Sequence, residues 1–213
     1  MTQAIQQVCK NYFFDLCGIR EIAVEAQLLP VELCPTDADQ LNIRFLYPDN
    51  RDRVFTLAQD NRILFHHEKI GTWFPKRFPF LGKLVIEIPG SYCGNLKICT
   101  SNAEIMGKPL CLGQMKAVTS NAAVRFEGLR CDLVEIHSSN GTISIERLQS
   151  GDISLQTSNA PITGTILGDI EEYAITSRTS NAINNLPGSF GMGKRCRLSA
   201  HTSNGCIGLE FIR

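Results

Sequence analysis

Several residues of this 213-residue chain are of types that catalysis or metal binding uses. A pair of carboxylates on one exposed face is what acid–base cleavage of a polysaccharide needs, and Glu146 and Asp152 could approach each other on adjacent turns of a repeating β structure. The other acids of the second half, Asp132, Glu135, Asp169, Glu171 and Glu172, are scattered, and carboxylates on strand surfaces are ordinarily just solvated. Serine and threonine hydroxyls are plentiful, but a hydroxyl nucleophile requires a base in register and none accompanies them. His66 and His67 are neighbours, so on a strand they face opposite ways. The nine cysteines (Cys9, Cys17, Cys34, Cys93, Cys99, Cys111, Cys131, Cys196 and Cys206) form no CxxC pair and meet no paired histidines. That is neither a disulfide framework nor a zinc site, and free cysteine packs as a small hydrophobe. The glycine-rich GSFGMGK at 188–194 shares only composition with a phosphate loop, because Lys194 is followed by Arg195 and no helix follows. These residues predict no catalytic site, no metal and no cofactor.

Lysine plus arginine number 21 and aspartate plus glutamate number 21, so no net field draws the chain to nucleic acid or an anionic membrane. No stretch approaches the roughly 18 apolar residues of a membrane span. The opening MTQAIQQVCKNYFFDLCG lacks the basic start and apolar run of a secretion signal, which predicts a cytoplasmic protein.

One non-repeating stretch stands out, KIGTWFPKRFPFLGK at 69–83. Trp73, Phe74, Phe78 and Phe80 interleave with Lys76, Arg77 and Lys83, and Trp73 is the single tryptophan of the chain. Such a lip could meet a protein, a glycan or a lipid headgroup. The alternative is that the rings pack over an open edge or flank of the fold.

What must position these groups is a repeat. The triplet Thr/Ser-Ser-Asn recurs six times, with Asn102, Asn121, Asn140, Asn159, Asn181 and Asn204 separated by 19, 19, 19, 22 and 23 residues. The next residue is always Ala or Gly. Apolar residues alternate ahead of each asparagine, with Leu96, Met115, Val134, Ile153, Ile175 and Leu198 in one column and Ile98, Ala117, Ile136, Leu155, Ser177 and Ala200 in another. Between them lie Lys97, Lys116, Glu135, Ser154, Thr176 and Ser199. Period two is the signature of a strand. After the triplet come Ile105, Val124, Ile143, Ile162 and Ile207, then Leu110, Leu129, Leu148 and Leu167. The fifth unit breaks both later columns in NNLPGSFGMGKR, which reads as a loop.

A unit of about 19 to 23 residues cannot bury its own apolar face, so copies must stack. The fold predicted is all-β: a single-chain β-solenoid over 1–213, with an N-terminal cap at 1–17, irregular opening coils at 18–92 and regular repeats at 93–213. In that fold the six asparagines form a ladder at the roughly 4.8 Å spacing of paired strands, bonding amide to amide. The triplet's threonine falls in the inward register. REIAVEAQ, LPVELC, LNIRFLY, RVFTLAQ, RILFHHE and KLVIEIP each read as a strand in the opening coils. Ala4, Ile5, Val8, Cys9, Tyr12 and Phe13 recur at helical spacing after Thr2, which predicts a short capping helix. The chain ends on GLEFIR, leaving Ile207, Leu209 and Phe211 on an unpaired last coil as a self-association edge.

The alternating opening, the strand closing in IEIP and the units of form L-x-I-x-T-S-N-G/A-x-I resemble the bacterial putative adhesin family, which is built around a domain of unknown function. The resemblance covers about residues 18 to 213, and it implies a β-solenoid without established catalysis and a link to cell-envelope stress or surface binding. The function predicted is a non-enzymatic interaction or scaffold module that binds protein, or another copy of itself. A carbohydrate-binding or polysaccharide-cleaving solenoid and a polymerising cytoskeletal solenoid are the alternatives. A flat ice-binding face is disfavoured, since it would repeat threonine outward and here threonine points in.

Overall fold

The computed structural model describes residues 9–48, 51–70, 82–191 and 193–213. The opening third holds β1 (Cys9–Phe14), β2 (Glu21–Ala26), β3 (Val31–Thr36), β4 (Leu41–Leu46), β5 (Asp52–Gln59), β6 (Arg62–Lys69) and β7 (Lys83–Pro89). The repeats supply β8 (Asn95–Thr100), β9 (Ile105–Gly107), β10 (Leu110–Cys111), β11 (Gln114–Thr119), β12 (Val124–Phe126), β13 (Leu129–Arg130), β14 (Leu133–Ser138), β15 (Ile143–Gln149), β16 (Asp152–Gln156), β17 (Ile162–Leu167) and β18 (Tyr173–Arg178). The chain finishes with β19 (Ser189–Phe190), β20 (Cys196–His201) and β21 (Ile207–Ile212).

These strands form two open, mixed sheets, one running β1-β4-β7-β3 and on through β9, β12 and β15 to β17 and β21, with β13 and then β10 branching from β15, the other β5-β6-β2-β8-β11-β14-β16-β20-β18-β19. The interior of both sheets is parallel, and the register follows the repeat: Met115 lies beside Leu96 on one side and Val134 on the other. Antiparallel pairs occur only at the ends, as β1 with β4, β4 with β7, β5 with β6 and β18 with β19. Parallel strands in two layers, one unit per rung, are compatible with a β-helix-like fold.

A single apolar core draws on both sheets. Leu96, Met115, Val134, Ile153, Ile175 and Leu198 are all buried, as are Ile105, Val124, Ile143, Ile162 and Ile207. Each side chain rests on its counterpart in the neighbouring unit, so every rung closes the apolar surface the previous one leaves open. Complete burial of one such residue contributes about 1.5–3 kcal/mol. The fourth column shifts by one residue. A bulge between Ile145 and Leu148, with Arg147 at φ +49, sets Leu148 opposite Ile166, so Ile166 is buried and Leu167 is only half-buried. The Arg147 N–H freed there donates to Thr165 Oγ1 at 2.8 Å.

All six strands expected between 18 and 92 form, but the units do not stack in chain order. The unit of β2 and β3 sits between that of β6 and β7 and that of β8 and β9. At the other end β20 lies between β16 and β18. The last strand is therefore not the end of the stack. β21 pairs with β17, and on its other side the Asn185 carboxamide acts as a short piece of strand, donating to Leu209 O at 2.9 Å and accepting the Leu209 N–H at 3.1 Å. Ile207 and Leu209 are buried rather than exposed, and Phe211 is half-buried against Tyr173, ring centres 5.3 Å apart. The expected bare C-terminal edge is thus corrected. The loop of the fifth unit supplies the slack that lets the final unit slip inside.

The expected helix is corrected too. Residues 1–8 lie outside the described residues, and Cys9–Phe14 is a strand antiparallel to β4. A helix of that length is marginal alone, whereas β4 offers a row of waiting N–H and C=O groups. The Tyr12 ring meets Phe65 edge-on, 5.3 Å between centres. A single 3₁₀ turn, Ile170–Glu172, is the helical element among the described residues.

Candidate functional site

The repeated triplet is where side-chain chemistry and stacking coincide. At five of the six corners the serine carbonyl accepts two N–H groups from the next unit: Ser120 N and Asn121 N both reach Ser101 O, at 3.0 and 3.1 Å. The same fork recurs at Ser120, Ser139, Ser158 and Ser203. This brings equivalent residues within one strand spacing, at which a carboxamide reaches its copy. Asn121 Nδ2 donates to Asn102 Oδ1 at 2.5 Å, and Asn140 to Asn121, Asn159 to Asn140, Asn204 to Asn159 and Asn181 to Asn204 do so at 2.6 Å. All five bonds point the same way, from the Asn181 end towards Asn102. All six asparagines and most of the serines beside them are exposed, so the corner presents a straight polar stripe.

Behind the stripe runs a second file, buried except at the half-buried Thr179. Thr157 Oγ1 donates to Gly141 O at 3.2 Å, Thr202 to Ala160 O at 3.1 Å and Thr179 to Gly205 O at 2.8 Å. Ser138 fills the same position towards Ala122 O at 3.4 Å. The inward hydroxyl thus satisfies a carbonyl that the corner would otherwise bury unpaired, a loss of about 1–3 kcal/mol.

The residue after asparagine separates into two kinds. At Gly141 and Gly205 the N–H donates to the hydroxyl three residues back, Ser138 Oγ at 2.8 Å and Thr202 Oγ1 at 3.1 Å. A Cβ there would lie 1.6 Å from Ala122 O at the first position and 1.8 Å from Ala160 O at the second. Alanine fits the other corners and is excluded from these two.

The candidate catalytic pair is not assembled. Glu146 is on β15 in one sheet, accepting from Thr165 Oγ1 at 3.2 Å, while Asp152 begins β16 in the other and pairs with Arg197. Other outward charges pair along the stack: Lys116 with Glu135 at 2.5 Å, Arg62 with Glu21 at 2.7 Å and Arg125 with Glu104. His66 and His67 face opposite ways. His66 Nδ1 lies 3.0 Å from Glu25 Oε2 at the surface, and His67 Nε2 lies 3.0 Å from Asp52 Oδ1 in the interior. His67 is completely buried, and Lys69 Nζ stands 3.5 Å from the same Asp52 oxygen. That buried cluster escaped the sequence reading, although its signal was there, since Ile63, Phe65 and His67 alternate in one inward register.

Among the described residues no cluster of His, Cys, Asp and Glu has the arrangement of a metal site. Burial pushes the Cys131 thiol up to about 12, so it is a core group. In GSFGMGK, Ser189 and Phe190 form β19 and cover the edge of β18. Trp73, Phe74, Lys76, Arg77, Phe78 and Phe80 lie outside the described residues, while Lys83 begins β7 and pairs with Glu32. A surface hollow of about 480 Å³ opens between Phe13, Thr36, Asp39 and Glu87.

This geometry defines an all-β repeat protein whose regular feature is a polar corner stripe on a parallel stack. The fold is similar to a putative cell adhesion protein from Clostridium sporogenes (TM-score 0.55, 8% identity, 97% of this chain and 100% of that one). It is similar also to a putative adhesin from Bacteroides fragilis (TM-score 0.54, 12% identity, 98% of each chain). No protein-family model matches the chain, and no curated protein matches it. At such identities the likeness is one of fold.

Proposed function

We propose that the chain is a β-solenoid of the bacterial putative adhesin type that serves as a non-enzymatic interaction module. The observation carrying this reading is the unbroken file of carboxamides from Asn102 to Asn181, which locks six units into one straight exposed surface. A surface held that way is pre-organised, so a partner meets it without an ordering cost. The separation of Glu146 from Asp152 on different sheets argues against polysaccharide cleavage. Antiparallel strands at both ends interrupt the parallel stack and argue against an open-ended polymer. The structural neighbours named as adhesins agree with a binding role.

A polysaccharide panel tests it. The reading expects no release of reducing ends from any polymer, even at high protein concentration. Turnover that persists through repurification and is lost in a Glu146→Gln or Asp152→Asn variant overturns it. A glycan array read together with Trp73 fluorescence separates a carbohydrate ligand from a protein partner.

A further inference from the structure

The two sheets end in five edges, and four are blunted, β10 by being only two residues long. β21 is met by Asn184 and Asn185, β18 by the two-residue β19, and the outer strand β1 is short and carries Lys10 and Asn11 outward. The remaining edge, β5, has none of these devices. It is eight residues long, its middle reads VFTLA without a charge, a proline or a bulge, and Phe55 is 56% exposed and Leu57 36%. A long, regular, apolar edge is a template for another strand.

The hairpin determines which groups that edge offers. Asp60 and Asn61 both have positive φ, 52° and 61°, the two-residue turn that makes Gln59 and Arg62 a hydrogen-bonded pair. Counting back by two, Leu57, Phe55 and Arg53 bond to β6, so Val54, Thr56 and Ala58 turn their N–H and C=O groups outward. Among the described residues no strand pairs with that side.

We infer that β5 is a homodimer interface, pairing antiparallel with β5 of a second copy about a two-fold axis at Thr56. In this register Thr56 faces its own copy, Val54 faces Ala58, and the outward groups form about six intermolecular backbone bonds. Phe55 then lies in a close, non-hydrogen-bonded pair with Leu57 of the other copy, twice over, and Arg53 lies opposite Gln59. From Arg53 to Gln59 no like charges meet, and Asp52, which would come next opposite Asp60 of the turn, is held inward by His67 and Lys69. This self-complementarity selects a second copy over an unrelated peptide, because one segment supplies both halves of every apolar pair. The dimer joins two sheets into one continuous sheet, and doubling the corner stripe makes the module bivalent.

The experiment is sedimentation equilibrium of the full chain from about 1 to 200 µM, a range spanning the weak-to-moderate affinity of a small interface. Two variants accompany it. Thr56→Pro removes an N–H that points away from β6, so it blocks pairing and spares the hairpin. Phe55→Lys places a charge where two copies meet. The expected result is a concentration-dependent dimer for the native chain, monomers for both variants with unchanged circular dichroism, and slowed hydrogen exchange at Val54, Thr56 and Ala58 as concentration rises. A native monomer throughout, or a dimer that survives both substitutions, overturns the interface. The interaction-module reading is decided separately, by the turnover and glycan tests.

Discussion

The carboxamide of Asn204 donates to that of Asn159, 2.6 Å away and 45 residues earlier in the chain. The intervening Asn181 stacks outside it, donating to Asn204 at 2.6 Å across 23 residues. The final unit is therefore an internal rung, and the last part of the chain completes a stack that the part before it cannot finish.

Deleting residues 196–213 should consequently unfold more than it removes. β18 loses β20, its parallel neighbour, and faces β16 across a missing layer. Hydrogen exchange should show residues 173–181 unprotected in the truncated chain and the units up to β17 still protected. Protection of 173–181 at native levels would contradict the interleaved order.

Interior and terminal rungs of the asparagine file should differ in value. Asn140 makes two carboxamide bonds and Asn102 makes one. At about 0.5–1.5 kcal/mol for each bond, less in solvent, Asn140→Ala should cost about 1–2 kcal/mol and Asn102→Ala about half as much. Urea midpoints at constant m-value measure the difference, and equal costs would mean that the file adds nothing beyond backbone stacking.

Gly141→Ala is expected to be far worse than its chemistry suggests. The new methyl meets a backbone carbonyl at 1.6 Å, so the corner itself must move, at about 2–4 kcal/mol. Ala122→Gly, at the equivalent position one unit away, should cost only about 1 kcal/mol of backbone entropy. Thermal unfolding of the two variants side by side gives the comparison, and similar losses would refute the distinction between the corners.

Stability should fall on the alkaline side. Burial pushes the Cys131 thiol and the Tyr173 phenol each up to about 12, and it raises the Tyr92 phenol as well. In the unfolded chain these groups ionise near their ordinary values, about 8.5 for a thiol and 10 for a phenol. Above about pH 9 the unfolded state thus holds fewer protons than the folded one, and unfolding becomes progressively easier up to pH 12. Urea midpoints between pH 7 and 11 should decline, and mass spectrometry after brief maleimide treatment at pH 7.5 should find Cys17, Cys93, Cys111 and Cys206 labelled before Cys131. A flat pH profile with early Cys131 labelling would contradict the buried placement.

The sequence alone determined what is local and repeated. Period two, the recurring triplet and the small residue after it depend on how each unit meets an identical neighbour, and identity between copies is visible in the letters. The inward threonines and the columns headed by Leu96 and Ile105 were legible for the same reason. What only the tertiary structure decided is which neighbour each unit has. Nothing local distinguishes Asn181 from Asn204 as the partner of Asn159, because every rung presents the same bonds, and the choice falls to loop length and to how the ends are closed. The same holds for the strand at Cys9–Phe14, whose spacing suits a helix until the open edge of β4 is present to pair with it. It holds too for Gly141 and Gly205, where the approach of a carbonyl from the neighbouring unit, and no feature of the glycine's own segment, forbids the methyl group.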